Sequence, residues 1–191
     1  DPRRTIRFDA EKHARLVARE REVGADGRLL AGPGGLHRVT LLEKLLVPAL
    51  AKLASLVPGG GVWMNTGRPE WNDANNALVG HGVSMVTLYY MRRYVHFLQE
   101  LLAGEQGSVE LSAEVDDWLA DTSAALADIQ PLLGQERLSP DQRWRSMQEL
   151  GLAASRYRQS VYRDHPFSGK ADRPLALVRE LLQAALAAID H

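Results

Sequence analysis

The chain turns on one stretch, Asn65-Thr66-Gly67-Arg68-Pro69-Glu70-Trp71-Asn72-Asp73-Ala74-Asn75-Asn76-Ala77-Leu78-Val79-Gly80-His81-Gly82. It gathers an indole, the carboxyl groups of Glu70 and Asp73 and several amides, then runs straight into the most apolar part of the sequence, which opens at Ser84. A polar loop that leads into a scaffold helix is a common layout for a site, because the helix fixes what the loop presents. Apolar residues recur at helical spacing on both sides. Before the loop, Thr40-Leu41-Leu42-Glu43 has the form of a capping box, and Leu42, Leu45, Leu46, Ala49, Leu50, Leu53, Leu56 and Val57 follow on one face. Pro48 removes a donor inside that helix and predicts a kink, and the Pro58 to Gly61 cluster ends it. After the loop, Ser84 is placed to cap a helix to about Ala103. Its apolar residues, from Met85, Val86, Leu88, Tyr89, Tyr90 and Met91 to Phe97, Leu98 and Leu101, go round the axis, which predicts burial on nearly all sides. Partners for it would come from outside this set of helices.

Three further helices follow from the same periodicity. Ser112 caps one with Val115, Trp118, Leu119, Leu126 and Ile129 facing inward, ending near Pro131. Ser139-Pro140-Asp141-Gln142 is a second capping box, opening a helix to roughly Arg163 with Trp144, Met147, Gly151, Ala154 and Val161 as its inward face. The last helix carries Pro174 in its first turn and buries Leu175, Val178, Leu181, Leu182, Ala185 and Ile189. Residues 1–35 are mixed: a short strand at Thr5 to Phe8, a charged helix capped by Asp9, and a hairpin or loop between the turn clusters at Gly24 to Gly27 and Gly32 to Gly35. The expected fold is therefore all-α, with antiparallel helical hairpins over 36–191 and small extended pieces near the amino end and Asn65. Residues 1–191 form a single helical domain or a fragment of a larger one.

At 191 residues, 45% hydrophobic and 25% charged, the chain can bury a substantial core. A net charge of -1 and a pI near 6.7 provide no global field for nucleic acid or an anionic membrane, so neither is an expected partner. With no cysteine there is no disulfide framework or thiolate metal site, which fits a reducing, cytoplasmic setting. No apolar run reaches the ~18 residues that would span a bilayer.

The central stretch carries the candidate chemistry. Asp73, between an aromatic and amides, can act as a general acid if burial raises its pKa; Asn72 or Asp73 can equally cap a short helix through Val79. Glu70 offers a second carboxylate, as inverting glycosidases need at a separation of roughly 6.5–9.5 Å, or is a solvated loop residue. Trp71 can stack on a sugar face or anchor the core. Asn75 and Asn76 can hydrogen-bond ligand hydroxyls or local backbone, and Arg68 can clamp an anion. His81 has no second histidine at metal-ligand spacing, and no zinc site is expected. Arg92 and Arg93 must reach water or a carboxylate. Arg156, Tyr157, Arg158 and Tyr162 form a basic, aromatic patch open to phosphate, a partner helix or solvent.

Gly67-Arg-Pro-Glu-Trp-Asn-Asp-Ala-Asn-Asn76, followed by Gly80, Gly82 and Ser84, resembles the Gly-x-x-x-Trp-Asn-Asp-x-x-Asn stretch of cellobiose-phosphorylase-like proteins, carbohydrate-active enzymes built on a six-hairpin α/α barrel. The resemblance implies that Asp73 is the general acid that protonates the glycosidic oxygen, with Trp71, Asn72, Asn76, Glu70 and Arg68 around an oligosaccharide. It implies no cofactor, and inorganic phosphate as co-substrate if the reaction is phosphorolysis. Glu70 stands where the family usually has Asp. Twelve helices need far more chain than this, so the resemblance implies part of an α/α toroid, completed by remaining barrel segments or an oligomer partner, or a reduced relative. The alternative is a noncatalytic helical interaction or scaffold domain.

Overall fold

The computed structural model describes residues 8–29, 31–32, 35–64, 81–161 and 167–191. The described residues are mostly helical with a few small strands. Helix α1 (Ala10–Val23) is capped by Asp9, whose Oδ1 accepts the Lys12 N–H at 2.9 Å, and is followed by a 3₁₀ turn and the two-residue antiparallel strands β1 (Ala31–Gly32) and β2 (Gly35–Leu36). A hairpin or loop is expected between the two glycine clusters; the strands that pair instead stand at the two ends of the second cluster, Ala31 opposite Leu36 and Gly32 opposite Gly35, and most of the strand expected at Thr5 to Phe8 lies outside the described residues. Then come α2 (Leu41–Leu53), β3 (Leu56–Val57), β4 (Gly61–Trp63), β5 (Val83–Ser84), α3 (Met85–Leu101), β6 (Ser108–Ser112), α4 (Ala113–Ile129), α5 (Pro140–Val161), β7 (Lys170–Pro174) and α6 (Leu175–Asp190).

The core lies between α2, α3, α4, α5 and α6. Leu46, Leu50 and Leu53 of α2, Val95 and Leu98 of α3, Leu119 and Leu126 of α4, Leu150 of α5 and Leu182 of α6 are all out of solvent. Every apolar residue assigned inward on α4 and α6 is buried. Strands β6 and β7 pair antiparallel from Ser108↔Pro174 to Ser112↔Lys170, each leads directly into a helix, and Arg173, just before α6, binds Asp116 in the first turn of α4, so α4 and α6 start at the same end of the bundle. Thr40, at the start of α2, donates its hydroxyl to Glu110 O at 3.2 Å, which places the beginning of α2 there too. The Arg92–Asp190 ion pair joins the first half of α3 to the end of α6, and the Asp121–Arg156 pair joins the first half of α4 to the last third of α5. Helices α2, α4 and α6 therefore run one way, and α3 and α5 the other.

Helix α2 ends at Leu53, short of the Pro58 cluster expected to end it, and Leu56 and Val57 pair with β4 as a strand instead. Three more expectations are corrected. First, α3 is not buried all round: Leu88, Met91, Val95 and Leu98 face inward, while Met85, Val86, Tyr89, Tyr90, Phe97 and Leu101 are exposed on the other side. Its neighbours α2 and α6 cover one face only. Second, the inward face of α5 is rotated from the assigned one. Ser146, Leu150, Ala153 and Ala154 are buried, and Trp144 is 63% exposed. Small side chains let α5 approach α4 closely, and an indole on that face would hold them apart. Third, two caps differ. Ser139 and Gln142 form the full reciprocal box, with Ser139 N–H to Gln142 Oε1 at 2.7 Å and Gln142 N–H to Ser139 Oγ at 3.2 Å. Thr40 accepts the Glu43 N–H at 3.2 Å, but the Glu43 side chain leaves to bind Ser112, and Ser112 makes no cap bond with its own helix.

This packing sets a test. Leu150→Ala should cost about 2–5 kcal/mol in urea unfolding through the cavity it leaves. Trp144→Ala should stay within about 0.5 kcal/mol, because little is buried there; a reversal would return Trp144 to the core.

Candidate functional site

The residues assigned to carbohydrate chemistry, Arg68, Glu70, Trp71, Asn72, Asp73 and Asn76, lie outside the described residues, as do Asn75 and the short helix through Val79. What the structure describes is the mounting of that segment. Strand β4 pairs antiparallel with β3 on one side and β5 on the other, with Val62 opposite Ser84 and Trp63 opposite Val83. The ladder continues outward: Met64 N–H donates to Gly82 O at 3.2 Å, and Trp63 N–H donates to Ser55 O at 2.7 Å. The chain thus leaves at Met64 and returns at Gly82 side by side. At the return, buried Ser84 caps α3 by accepting the Thr87 N–H at 3.1 Å, as its position predicts.

Beside this sheet a cleft of about 340 Å³ opens between the β3–β4 turn, the start of α3 and the end of α6. Leu56, Val57, Met85, Leu88 and Ile189 line its apolar part, and Arg92, bidentate to Asp190 at 2.5 and 3.0 Å, lines a comparably large polar part with His191. Gly61, at φ 152°, closes the sheet onto the helix: a Cβ there would sit 3.2 Å from both Met85 Sδ and Val83 Cβ. Arg92 is thus an ion-pair residue, as read, while the Arg93 guanidinium lies 5.9 Å from the centre of the Tyr90 ring.

The opposite end of the bundle holds a polar cluster that sequence reasoning missed. Glu43, only 3% exposed, accepts the Ser112 N–H on Oε2 at 2.8 Å and the Ser112 hydroxyl on Oε1 at 2.6 Å. That hydroxyl has a single proton, so the 2.8 Å contact between His37 Nε2 and Ser112 Oγ makes the imidazole the donor. Lys170, opposite Ser112 in the β6–β7 ladder, donates to Arg38 O at 2.8 Å and stands 3.8 Å from Glu43 Oε2. Phe167 stacks on His37 with centroids 3.9 Å apart. Burial, and then the Lys170 ammonium, hold the His37 pKa below its ordinary value, against the opposing pull of Glu43 and Glu114. Ser112 is fully buried, so no substrate reaches its hydroxyl; the cluster is a structural lock. The only sequence signal for it was a capping-box glutamate, and its partner lies 69 residues away.

Next to this end, a groove of about 390 Å³ runs between α4 and α5, lined by Glu114, Asp117, Asp121, Arg156, Tyr157 and Ser160. It contains part of the basic, aromatic patch, already engaged within the chain: Arg156 pairs with Asp121 at 2.7 Å, and Tyr157 stacks on Trp118 at 4.3 Å. Arg158 donates to Ser155 Oγ at 3.1 Å, and Tyr162 lies outside the described residues. With three carboxyl groups against one guanidinium, the groove is a poor phosphate site. No group of three or more metal-ligating side chains occurs among the described residues, and no described helix is long and apolar enough to cross a membrane. No protein-family model matches the chain, and no curated protein matches it.

The lowered pKa of His37 fixes a sign. The folded chain binds this proton less tightly than the unfolded chain, so stability is greater above the ordinary imidazole range. It should fall as pH drops through that range toward the lowered folded value. Urea unfolding across a pH series should show this fall in the wild type, and His37→Gln should lack that component; identical pH profiles would remove His37 as its source. Glu43→Ala, which strands the Ser112 N–H and hydroxyl in the core, should cost about 3 kcal/mol or more in the same assay.

Proposed function

We propose that this chain is a carbohydrate-active helical segment that presents a general-acid loop, of the glycoside phosphorylase or inverting glycoside hydrolase type. In this reading Asp73 donates the proton to the departing glycosidic oxygen, and Trp71 is the platform under a sugar ring. Asn72 and Asn76 orient ligand hydroxyls, while Glu70 and Arg68 flank them. The reading is carried by one observation: a Trp-Asn-Asp stretch with amides lies on a segment whose two ends are clamped by Met64 and Gly82 at a three-stranded sheet. Two further features support it. The return strand runs without a break into a capped, core-packed helix, which limits movement of that end, and a part-apolar cleft lined by an ion pair adjoins the same sheet. A phosphorylase would draw inorganic phosphate as the nucleophile, so Asp73 alone would supply the protein's proton chemistry. The alternation of α2 to α6 suits an arc of helical hairpins, of which an α/α toroid is the closed form.

In the catalytically complete enzyme that contains these residues, Asp73→Asn should lower turnover by roughly 10²–10⁴ on a glycoside with an alkyl leaving group. It should lower turnover far less on a nitrophenyl glycoside, whose leaving group needs no proton. Rates on the two substrates, with and without phosphate, make the measurement; equal losses on both would take the proton-donor role away from Asp73.

A second reading, a noncatalytic helical interaction module, is favoured by the bare outer face of α3. Titration of the purified chain with an oligosaccharide panel separates the two, since only the first expects binding that Trp71→Ala abolishes.

A further inference from the structure

The outer face of α3 is the largest apolar feature the described residues leave in water. Val86 is 60% exposed, Tyr90 65%, Phe97 48% and Leu101 48%, with Tyr89 at 62% beside them. At 100° per residue, the first four fall on one stripe opposite Leu88, Met91, Val95 and Leu98, which face the core. With aromatic side chains offering about 150–250 Å² each, the exposed part of the stripe and its flanks is on the order of 600 Å². That is the upper end of the roughly 300–600 Å² that the largest apolar patch of a typical monomer reaches, a size at which such patches are often functional, and it is about three-quarters of the roughly 800 Å² per partner of a standard interface.

We propose that this face is a two-fold contact between two copies of the chain, α3 against α3 and antiparallel. What selects a second copy is the spacing. Val86, Tyr90, Phe97 and Leu101 are separated by four, seven and four residues, a pattern that reads the same in both directions about the midpoint between Arg93 and Tyr94. A two-fold contact must match a surface to itself, and an antiparallel pair with this midpoint does so. Val86 then meets Leu101 of the second copy, and Tyr90 meets Phe97, aliphatic on aliphatic and ring on ring. A contact with an unrelated partner makes no demand for such symmetry. Arg93 lies next to the axis, and its approach to the other Arg93 opposes association; its guanidinium is laid over the Tyr90 ring, 5.9 Å from the centroid, rather than standing alone on the seam. Each α3 keeps Arg92 on Asp190 of its own chain, so the contact leaves the bundle's ion pair intact. The inference does not rest on the role given to Asp73.

Sedimentation velocity of the purified chain over the micromolar range tests it. The wild type should show a reversible monomer–dimer equilibrium, and the double variant Tyr90→Glu with Phe97→Glu should weaken it by roughly a hundredfold or more. Its urea midpoint at low concentration should stay at the wild-type value, since both side chains point away from the core. Register is read separately, because a chain with no cysteine gives a clean background. Under oxidation, Val86→Cys mixed with Leu101→Cys should form a disulfide-linked pair, and neither variant alone should. A wild type that stays monomeric throughout would overturn the proposal and leave the face to another occupant. So would a dimer that survives the double variant, or cross-linking of Val86→Cys with itself.

Discussion

A carboxyl group taken out of water must be met on all sides, and the way Glu43 is met governs how the helices of this protein are aligned. Left without partners, such a group costs several kcal/mol. Here the Ser112 N–H and hydroxyl take its two oxygens, and Lys170 stands behind. These three residues belong to the first turn of α2, to the junction of β6 with α4, and to β7. Satisfying one group therefore brings the starts of α2 and α4 together and anchors the first residue of β7, the strand that leads into α6. The β6–β7 register is held by the same demand: a slip of one residue would turn Lys170 to the other face of the ribbon. Arg173, also on β7, ties the ribbon to Asp116 in the first turn of α4 at 2.5 Å.

Against that organised end, the described residues of the other end include the short strands β3, β4 and β5. The three-stranded sheet has only two or three residues in each strand, yet it fixes where the chain departs and returns around the Trp-Asn-Asp segment. Glu43 and the three-stranded sheet lie at the two ends of α2, a 13-residue helix about 20 Å long, so the buried cluster and the sheet are separated by the length of that helix. The end with ionisable chemistry described in atomic detail is thus structural, and the end with the suggestive sequence is a mount. Confusing the two would put catalysis at a serine that no substrate can touch.

How far the sequence disclosed this depended on the range of each interaction. The inward faces of helices α4 and α6 were legible, because each has a single apolar stripe and a single buried face, although Ser112 does not cap α4 and Pro174 ends β7 just before α6 rather than lying in its first turn. Local hydrogen bonds were legible where donor and acceptor are a turn apart, as at Asp9, Ser84 and the Ser139 to Gln142 box. Glu43 defeated the same rule: its nearest backbone donor lost to one 69 residues away, and nothing local reports that competition. Helix α3 was misjudged because apolar content tells how much a helix would gain from burial, not whether neighbours exist to bury it. On α5 Ala154 was placed correctly, but starting the stripe from the indole of Trp144 turned it away from Ser146, Leu150 and Ala153, which are the buried residues. The residues from Gly67 to Asn76 offered only a motif and lie outside the described residues; an extended piece near Asn65 was expected and β4 stands just before it, but its pairing with β3 and β5 was not legible, since strands of two or three residues carry no periodic signal.

Helix α1 stands apart from everything described so far. None of its residues is buried, and its main packing partner is the 3₁₀ turn at Ala25–Arg28, held by Arg28 to Glu20 at 2.7 Å and by Gly27, where a Cβ would lie 2.5 Å from the Glu20 backbone. With no buried residue of its own, α1 has only local hydrogen bonds to protect its amides, the situation in which exchange through local opening is expected rather than through global unfolding. The molecule thus contains two tiers of persistence, a slow-exchanging bundle and a fast-exchanging forearm, and the boundary between them falls before Thr40.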